Sequence, residues 1–471
     1  MRRKYVIIGS VVILVVASNY AMEVISHREF VLPEVTALPA GTASSVYMAN
    51  GIKIGEVSSE SAIIWTRLTR DPATDPNTKW GRVVTGIRGE VRISYWPGED
   101  KSLQRETPWI AVDADKDFTR QLHLTELAPA TDYSVLVEGR PIENLKNVSR
   151  LDGKFKTAPG KENSARVHFS VITGQEYRRR DDDKNGHRIY QTMRSMDLSF
   201  LVHTGDNVYY DNPKPYATTL ALARFKWNRM YAFPFQRSFY NNAASYFMKD
   251  DHDTLKNDSY PGQTYKNLTW DQGVELFREQ VPMGDKTYRT YRWGKHLQIW
   301  MMEGRDFRSN NDMPDGPDKT IWGNTQKDWF FETVQNSDAT FRILISPTPI
   351  LGPDQADKAD NHANAAFYME GEEIRSFVGS QKNMFVITGD RHWQYVSKDP
   401  VSGVIEFGSG PTTDAHAREY DLREGTSMLR YLNIKGGFLS VVVSEHENHA
   451  EISFVHHAVD GSTYNTETFE Q

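Results

Sequence analysis

Leu198-Ser199-Phe200-Leu201-Val202-His203-Thr204 runs directly into Gly205-Asp206-Asn207-Val208-Tyr209-Tyr210-Asp211. The first seven residues are a short, largely apolar run of the kind that forms a strand buried on both faces. The next seven place a turn glycine, two acids and two phenols at its carboxyl end. In open α/β sheets, ligand chemistry lies just beyond the carboxyl ends of the strands. This stretch therefore predicts both a fold class and a place to look for chemistry.

Working outward, the same pattern recurs. Val167 to Thr173 runs into Gly174-Gln175-Glu176, and Tyr246-Phe247-Met248 into Asp250-Asp251-His252-Asp253. Leu297 to Met302 runs into Glu303-Gly304-Arg305-Asp306, Phe341 to Ile345 into Ser346-Pro347-Thr348-Pro349, and Met384 to Thr388 into Gly389-Asp390-Arg391-His392. Helical stretches are expected at Gly186–Met196, Thr218–Tyr231 and Asn324–Gln335, the last opening on Asn324 as a cap ahead of Trp329 and Phe330. Strands alternating with helices after Pro159 predict a mixed α/β architecture. His203, inside the apolar run, reads as a buried core histidine.

Acids gathered at one sheet edge repel one another unless a cation lies among them. With no cysteine in 471 residues, thiolate ligands, disulfides and thiol nucleophiles are excluded, so any metal is held by His, carboxylate, amide or phenolate. Asp and His suit Fe, Mn, Zn or Ca, and two ions about 3.5–4 Å apart suit in-line attack on a phosphate ester. With 55 Lys plus Arg against 62 Asp plus Glu, net -7, there is no basic excess to hold a nucleic acid. The expected partner is a small anionic ester.

Before Pro159 the rhythm differs. From Val46 to Pro159, short β-rich runs such as Ser61–Thr66, Gly89–Tyr95 and Tyr133–Val137 alternate with turns, which predicts a β-sandwich. Leu127–Tyr133 resembles the loop before a late strand of fibronectin-type-III-like domains, whose Tyr packs at the sheet corner. Residues 23–45 read as a linker. At the start, Arg2-Arg3-Lys4 precedes an apolar run from Tyr5 to Ala17, the layout of an export signal. Continued to Met22, the run reaches the lower edge of spanning length, so residues 1–22 are either a cleaved signal or a membrane anchor. Both place the folded part in the periplasm or outside the cell.

Gly205-Asp206-Asn207-Val208-Tyr209 resembles the GDxxY block of binuclear metallophosphoesterases. Asp250-Asp251-His252-Asp253 resembles their Asn-His-Glu/Asp block, and Gly389-Asp390-Arg391-His392 their late His-donating block. With the N-terminal sandwich and Gly408–Thr413 downstream, the order is similar to the alkaline phosphatase D family from about Val46 to the C-terminus. The resemblance implies an α/β (α+β type) metallophosphoesterase sandwich over 160–471, with a fibronectin-III-like β-sandwich over 46–159.

It further implies that Asp206 bridges two metals, that Tyr209 binds the more iron-like one, and that Asp251, Asp390 and His392 complete the shell. His252 becomes the proton donor or transition-state stabiliser. Arg305 grips the phosphate, with Arg391 as a rival. The implied cofactors are two or more divalent or trivalent ions, iron with calcium, zinc or manganese. Relatives carry a Cys before the first-strand Gln, where Gly174 stands, so Gln175 or Glu176 takes over or the metal is coordinated differently. Asp251 stands where relatives often carry Asn. Arg178 either faces the anionic substrate or belongs to a solvated loop, and His362 is either a further ligand or part of the substrate pocket.

The activity implied is hydrolysis of phosphate esters by metal-activated water in an exported enzyme. Two other readings stay open on these residues. One is hydrolysis of another anionic ester, of sulfate or phospholipid type; the other is a surface binding protein whose site has degenerated.

Overall fold

The strands at the centre of the chain are buried along their whole length, which requires a layer on each side of the sheet they form. In Val167–Ile172 and Phe200–His203 every residue is buried. Phe169, Val171, Phe200, Val202 and Tyr246 point into one apolar core, while Ile172, Leu201 and Phe247 point into another. A computed structural model of the chain describes residues 45–72, 83–354, 358–418, 426–447 and 449–471. The expected leader, residues 1–22, and the linker apart from Ser45 lie outside these. No helix among the described residues is long and apolar enough to cross a membrane.

The first sheet has nine strands. Val167–Ile172, Phe200–His203, Ala244–Phe247 and Ile52–Gly55 run parallel side by side within it, flanked by antiparallel strands on both sides. The second has seven, with Leu297–Met301, Phe341–Ser346, Met384–Thr388 and Ile405–Ser409 parallel at its centre. Their inner faces meet in a shared core that holds Phe169, Val171, Ile299, Ile343, Ile345, Ile387 and Phe407. Rings bridge the sheets: Phe407 stacks on Phe454 at 4.0 Å, and Phe200 meets Trp293 at 4.6 Å.

Each outer face is covered by helices. Ile189–Arg194, Leu220–Tyr231, Pro234–Tyr240 and Trp270–Gln280 pack on the nine-stranded sheet, and Asn324–Gln335 and Tyr368–Ser380 on the seven-stranded one. The result is a four-layer sandwich with helices outside.

The helix expected at 218–231 is Leu220–Tyr231, capped by the Thr219 side chain on Leu222 N–H. Asn324 is not a cap. The residue before the helix is Gly323 at φ 71, which makes no side-chain bond, and Asn324 is the first helical residue. Gly323 has no Cβ to clash in that left-handed conformation, so it can turn the chain where an Asn was expected to.

Hydrogen bonding crosses position 159. Ile52–Gly55, Ala62–Arg67 and Thr119–Leu124 belong to the nine-stranded sheet, through parallel pairing of Ile54 with Ala244. Gly89–Pro97, Asp132–Pro141 and Ser149–Lys156 form a separate antiparallel sheet over the same core. The corner tyrosine is present: Tyr133 is buried on Phe155, and its hydroxyl accepts from Ala128 N–H at 2.9 Å.

Candidate metal and active site

The parallel strands of the two sheets end on one side. Tyr209 Oη, past the strand Phe200–His203, lies 3.1 Å from His392 Nε2, past Met384–Thr388. Asp390 N–H donates to Thr173 Oγ1 at 3.2 Å, and Arg305 Nε donates to Asp250 Oδ1 at 2.6 Å. These contacts bring loops from both sheets into one cluster.

The loop around Asp206 is tightly constrained. Gly205 has φ 133, and a Cβ there would lie 2.5 Å from Asp250 Cβ. Asp206 and Asp390 hold left-handed backbones, φ 56 and φ 61. Such strain persists only where the surroundings enforce it. Around Asp206 the enforcing group is Asp253, which accepts from Asn207 N–H at 2.9 Å, Asn207 Nδ2 at 2.6 Å and Asp250 N–H at 2.7 Å. Lys226, buried, donates to the carbonyls of Tyr209, Asn212 and Pro213 and fixes the following turn.

Inside the cluster, Tyr209 donates to Asp206 Oδ2 at 2.7 Å, and His392 Nε2 lies 3.6 Å from the same oxygen. Asp206, Asp251 and His252 present ligand atoms within 4.8 Å of one another; so do Asp251, Asp258 and Asp360. Asp206 Oδ1, Asp250 Oδ2 and His392 Nδ1 are buried with no hydrogen-bond partner. A buried carboxylate oxygen without a donor is costly. A cation would satisfy it, so these residues fit a metal. Every donor is oxygen or nitrogen, as the absence of cysteine requires.

The electrostatics agree. Burial pushes the Asp206 carboxyl up to about 8, with Asp251 and Asp253 adding to the rise against His252. Burial also lifts Asp390 to about 6, against the pull of Arg391. For Asp251, burial is outweighed by His252, Arg305 and Lys358, which hold it below the usual carboxylate range. Burial, with His416 and Arg418, keeps the His392 imidazole far below its ordinary value and therefore neutral, the ligating form. His252 goes the other way. Burial opposes its charge, but Asp251, Asp206 and Asp211 prevail and lift it well above normal.

Several expected residues are placed differently. Gln175 does not replace the missing thiolate: its amide donates to Asn207 O and Tyr231 Oη and accepts from Tyr190 Oη at 2.8 Å. Glu176 is engaged with Arg178 N–H and the Arg179 side chain. Arg178 itself is exposed on that turn. Arg305 is not an open phosphate fork. It is fully buried, with Nε on Asp250, Nη1 on Ser259 O at 3.3 Å and Nη2 3.5 Å from Asp360. Arg391 is likewise held by Asp354 at 3.0 Å and by Asp390. Both guanidinium groups neutralise neighbouring acids. His362 pairs with Glu370 at 2.9 Å and meets Trp322 edge-on, a structural contact under the helix Tyr368–Ser380. His203 is fully buried in the strand, as read from the sequence.

Asp211 was not singled out from the sequence. It accepts from His252 Nδ1 at 2.7 Å and from Asn257 N–H at 2.8 Å, and so orients the imidazole. Its position at the end of the Gly205–Asp211 stretch was the available signal. Asp211→Asn is expected to lower turnover about 10²-fold, the usual cost of misplacing a catalytic group, with metal content unchanged by elemental analysis.

Gly174 sits at the cluster. A Cβ there would lie 2.9 Å from His392 Nε2 and 3.3 Å from Tyr209 Oη, on a backbone at φ 57. Gly174→Ala is therefore expected to cost about 1–2 kcal/mol from the left-handed conformation alone. It should also weaken metal binding by displacing His392; chemical denaturation and a metal titration check the two effects.

Comparison with known proteins agrees with this layout. A family model described as PhoD-like phosphatase matches residues 169–459, and one described as PhoD-like phosphatase, N-terminal domain, matches residues 35–159. Alkaline phosphatase D of Bacillus subtilis (strain 168) is 22% identical over 501 aligned positions, covering 88% of this chain and 78% of that protein. A solved structure of PhoD superposes with a TM-score of 0.72 at 17% identity, over 91% of this chain and 90% of that one. The purple acid phosphatase PPD1 from yellow lupin (Lupinus luteus) seeds gives 0.62 at 12% identity, over 90% and 74%. The two structures share their layered fold with this chain.

Proposed function

Because the chain belongs to the PhoD-like phosphatase family, and is thereby a phosphoester hydrolase, we propose that it is an exported, metal-dependent enzyme that hydrolyses phosphate mono- or diesters with water. The observation that carries the metal dependence is Asp206, whose buried Oδ1 has no donor although Tyr209, Asp251, His252 and His392 surround it. Carboxylate, phenolate and imidazole donors suit iron paired with calcium, zinc or manganese. Bound there, such cations supply positive charge that acidifies a water and steadies the charge developing on the phosphoryl oxygens.

The chain's own residues do the rest. Asp206, Asp251, Tyr209 and His392 would hold the cations, and the charge of Asp390 is partly answered by Arg391. Arg305, Arg308, Lys358 and Arg391 keep the surrounding carboxylates from repelling an anionic substrate outright. His252, held at Nδ1 by Asp211, carries a proton that Nε2 delivers to the leaving oxygen. The water oxygen forms the new P–O bond as the ester P–O bond breaks. The leaving alcohol departs with the His252 proton, and the proton lost by the water restores the acid. No covalent enzyme intermediate is needed.

Export rests on Arg2-Arg3-Lys4 and the apolar run behind it, and retention as an anchor on its length through Met22. The test is hydrolysis of aryl phosphate monoesters and diesters, with an aryl sulfate in parallel, in ¹⁸O-labelled water by metal-loaded protein. One labelled oxygen in the phosphate product and little sulfate turnover support the reading. No phosphoester turnover at full metal occupancy contradicts it.

A further inference from the structure

A side chain at position 174 would enter the cluster, yet glycine brings no donor there, and the neighbouring Gln175 and Glu176 are committed elsewhere. Another loop reaches the same two residues. The His416 ring lies 4.0 Å from that of His392 and 5.3 Å from that of Tyr209, the two residues that a Gly174 side chain would touch. Its Nδ1 is 3.2 Å from Gly174 O. We propose that His416, through Nε2, is a metal ligand that takes the place left without a donor by Gly174.

The tautomer follows from the partner. A carbonyl oxygen only accepts, so Nδ1 carries the hydrogen and Nε2 the lone pair, the arrangement that orients ligating histidines. His416 is buried, 1% exposed. The loop that delivers it is stitched to the first strand. Thr412 N–H and Oγ1 both donate to Gly174 O, at 3.3 and 3.0 Å, and Arg418 N–H donates to His392 O at 3.1 Å. Gly436 N–H donates to Asp414 Oδ1 at 2.9 Å and fixes the turn Asp414–His416 from behind. Position 174 and position 416 are thus held as one unit, the first giving space and a carbonyl, the second a nitrogen.

The inference rests on the cluster being a metal centre, so its test reads coordination directly. Full-length protein is stripped with chelator and titrated with Co(II), and the hyperfine-shifted exchangeable imidazole N–H resonances are counted by NMR. Two variants accompany it. His416→Asn keeps an N–H for Gly174 O but lacks Nε2, and His416→Phe keeps the ring packing but no nitrogen.

We expect at least two shifted imidazole N–H signals in the wild type, one of them missing from each variant. We also expect Co(II) Kd to rise in both by more than the roughly 10–100-fold that follows loss of an outer-shell partner. Fewer than two signals in the wild type overturns the assignment without any variant. An unchanged signal set, with Kd within a few-fold in a folded variant, overturns it too and makes His416 a packing residue. Co(II) binding with a single imidazole removes His416 alone. No Co(II) binding by the wild type removes the metal centre as well.

Discussion

Asp206→Asn is expected to lower turnover by about 10³-fold or more, equivalent to about 4 kcal/mol of lost transition-state stabilisation, and to lower the metal content of the purified protein. The substitution keeps the shape and suits the left-handed backbone at φ 56, since Asn tolerates that conformation well. The Tyr209 hydroxyl, which donates to Oδ2 at 2.7 Å, can still be accepted by the amide oxygen. What is removed is the charge.

The same substitution should not destabilise the chelated protein, and the pH dependence gives the sign. Burial raises the Asp206 carboxyl to about 8 in the folded chain, above the unfolded value of about 4. The folded state then binds this proton more tightly than the unfolded one. Its contribution to stability is complete below about pH 4 and is lost as pH rises through 8. Asn carries no titrating proton, so the chelated variant should show a flatter stability profile across that window by chemical denaturation. A structural acid would behave in the opposite way, with the variant less stable throughout.

His252→Ala should separate the proton donor from the ligands. Turnover is expected to fall about 10²–10⁴-fold, the range for loss of a general acid, while elemental analysis finds the metals retained. His252 is oriented by Asp211 at 2.7 Å and rests on the Tyr209 ring at 4.4 Å, whereas Asp206 Oδ1 is buried with no hydrogen-bond partner and His392 Nε2 lies 3.6 Å from Asp206 Oδ2. The loss should be smallest for aryl esters, whose alcohols leave without help, and largest for alkyl esters. Equal losses for both would take the leaving-group role away from His252.

The strand exits were legible because a parallel sheet sends its chemistry to one edge, and all but one of the apolar runs, Phe341 to Ile345, ended in a block carrying an acid, histidine or arginine. Asp206, Tyr209, Asp251, His252 and His392 stand at those exits, the family resemblance singles them out, and the fold brings them together. The part that could not be read was the pairing across the two sheets. Arg305 and Arg391 stand at strand ends as phosphate grips would, but only the fold reveals that Asp250, Asp354, Asp360 and Asp390 already hold them.

His416 follows no strand directly; it sits on a one-turn helix beyond Gly408–Thr413, and its role depends on contact with residues far away in sequence. The helix Trp270–Gln280 did carry a local signal, the reciprocal cap between Thr269 and Gln272. The periodicity of the N-terminal strands was correctly legible as β. The membership of Ile52–Gly55, Ala62–Arg67 and Thr119–Leu124 in the nine-stranded sheet was not, because the pairing of Ile54 with Ala244 spans the whole intervening chain.

If the strand-end cluster around Asp206 hydrolyses phosphoesters through metals it binds, metal and turnover must rise and fall together. The most direct measurement follows bound metal and phosphoester turnover together, on the same full-length sample, through chelation and stepwise reconstitution. Turnover should fall to background as metal is removed and return in proportion to metal bound, with Asp206→Asn recovering neither. Turnover that persists in metal-free protein, or that stays absent with the metals fully bound, would contradict hydrolysis by a metal centre at this cluster.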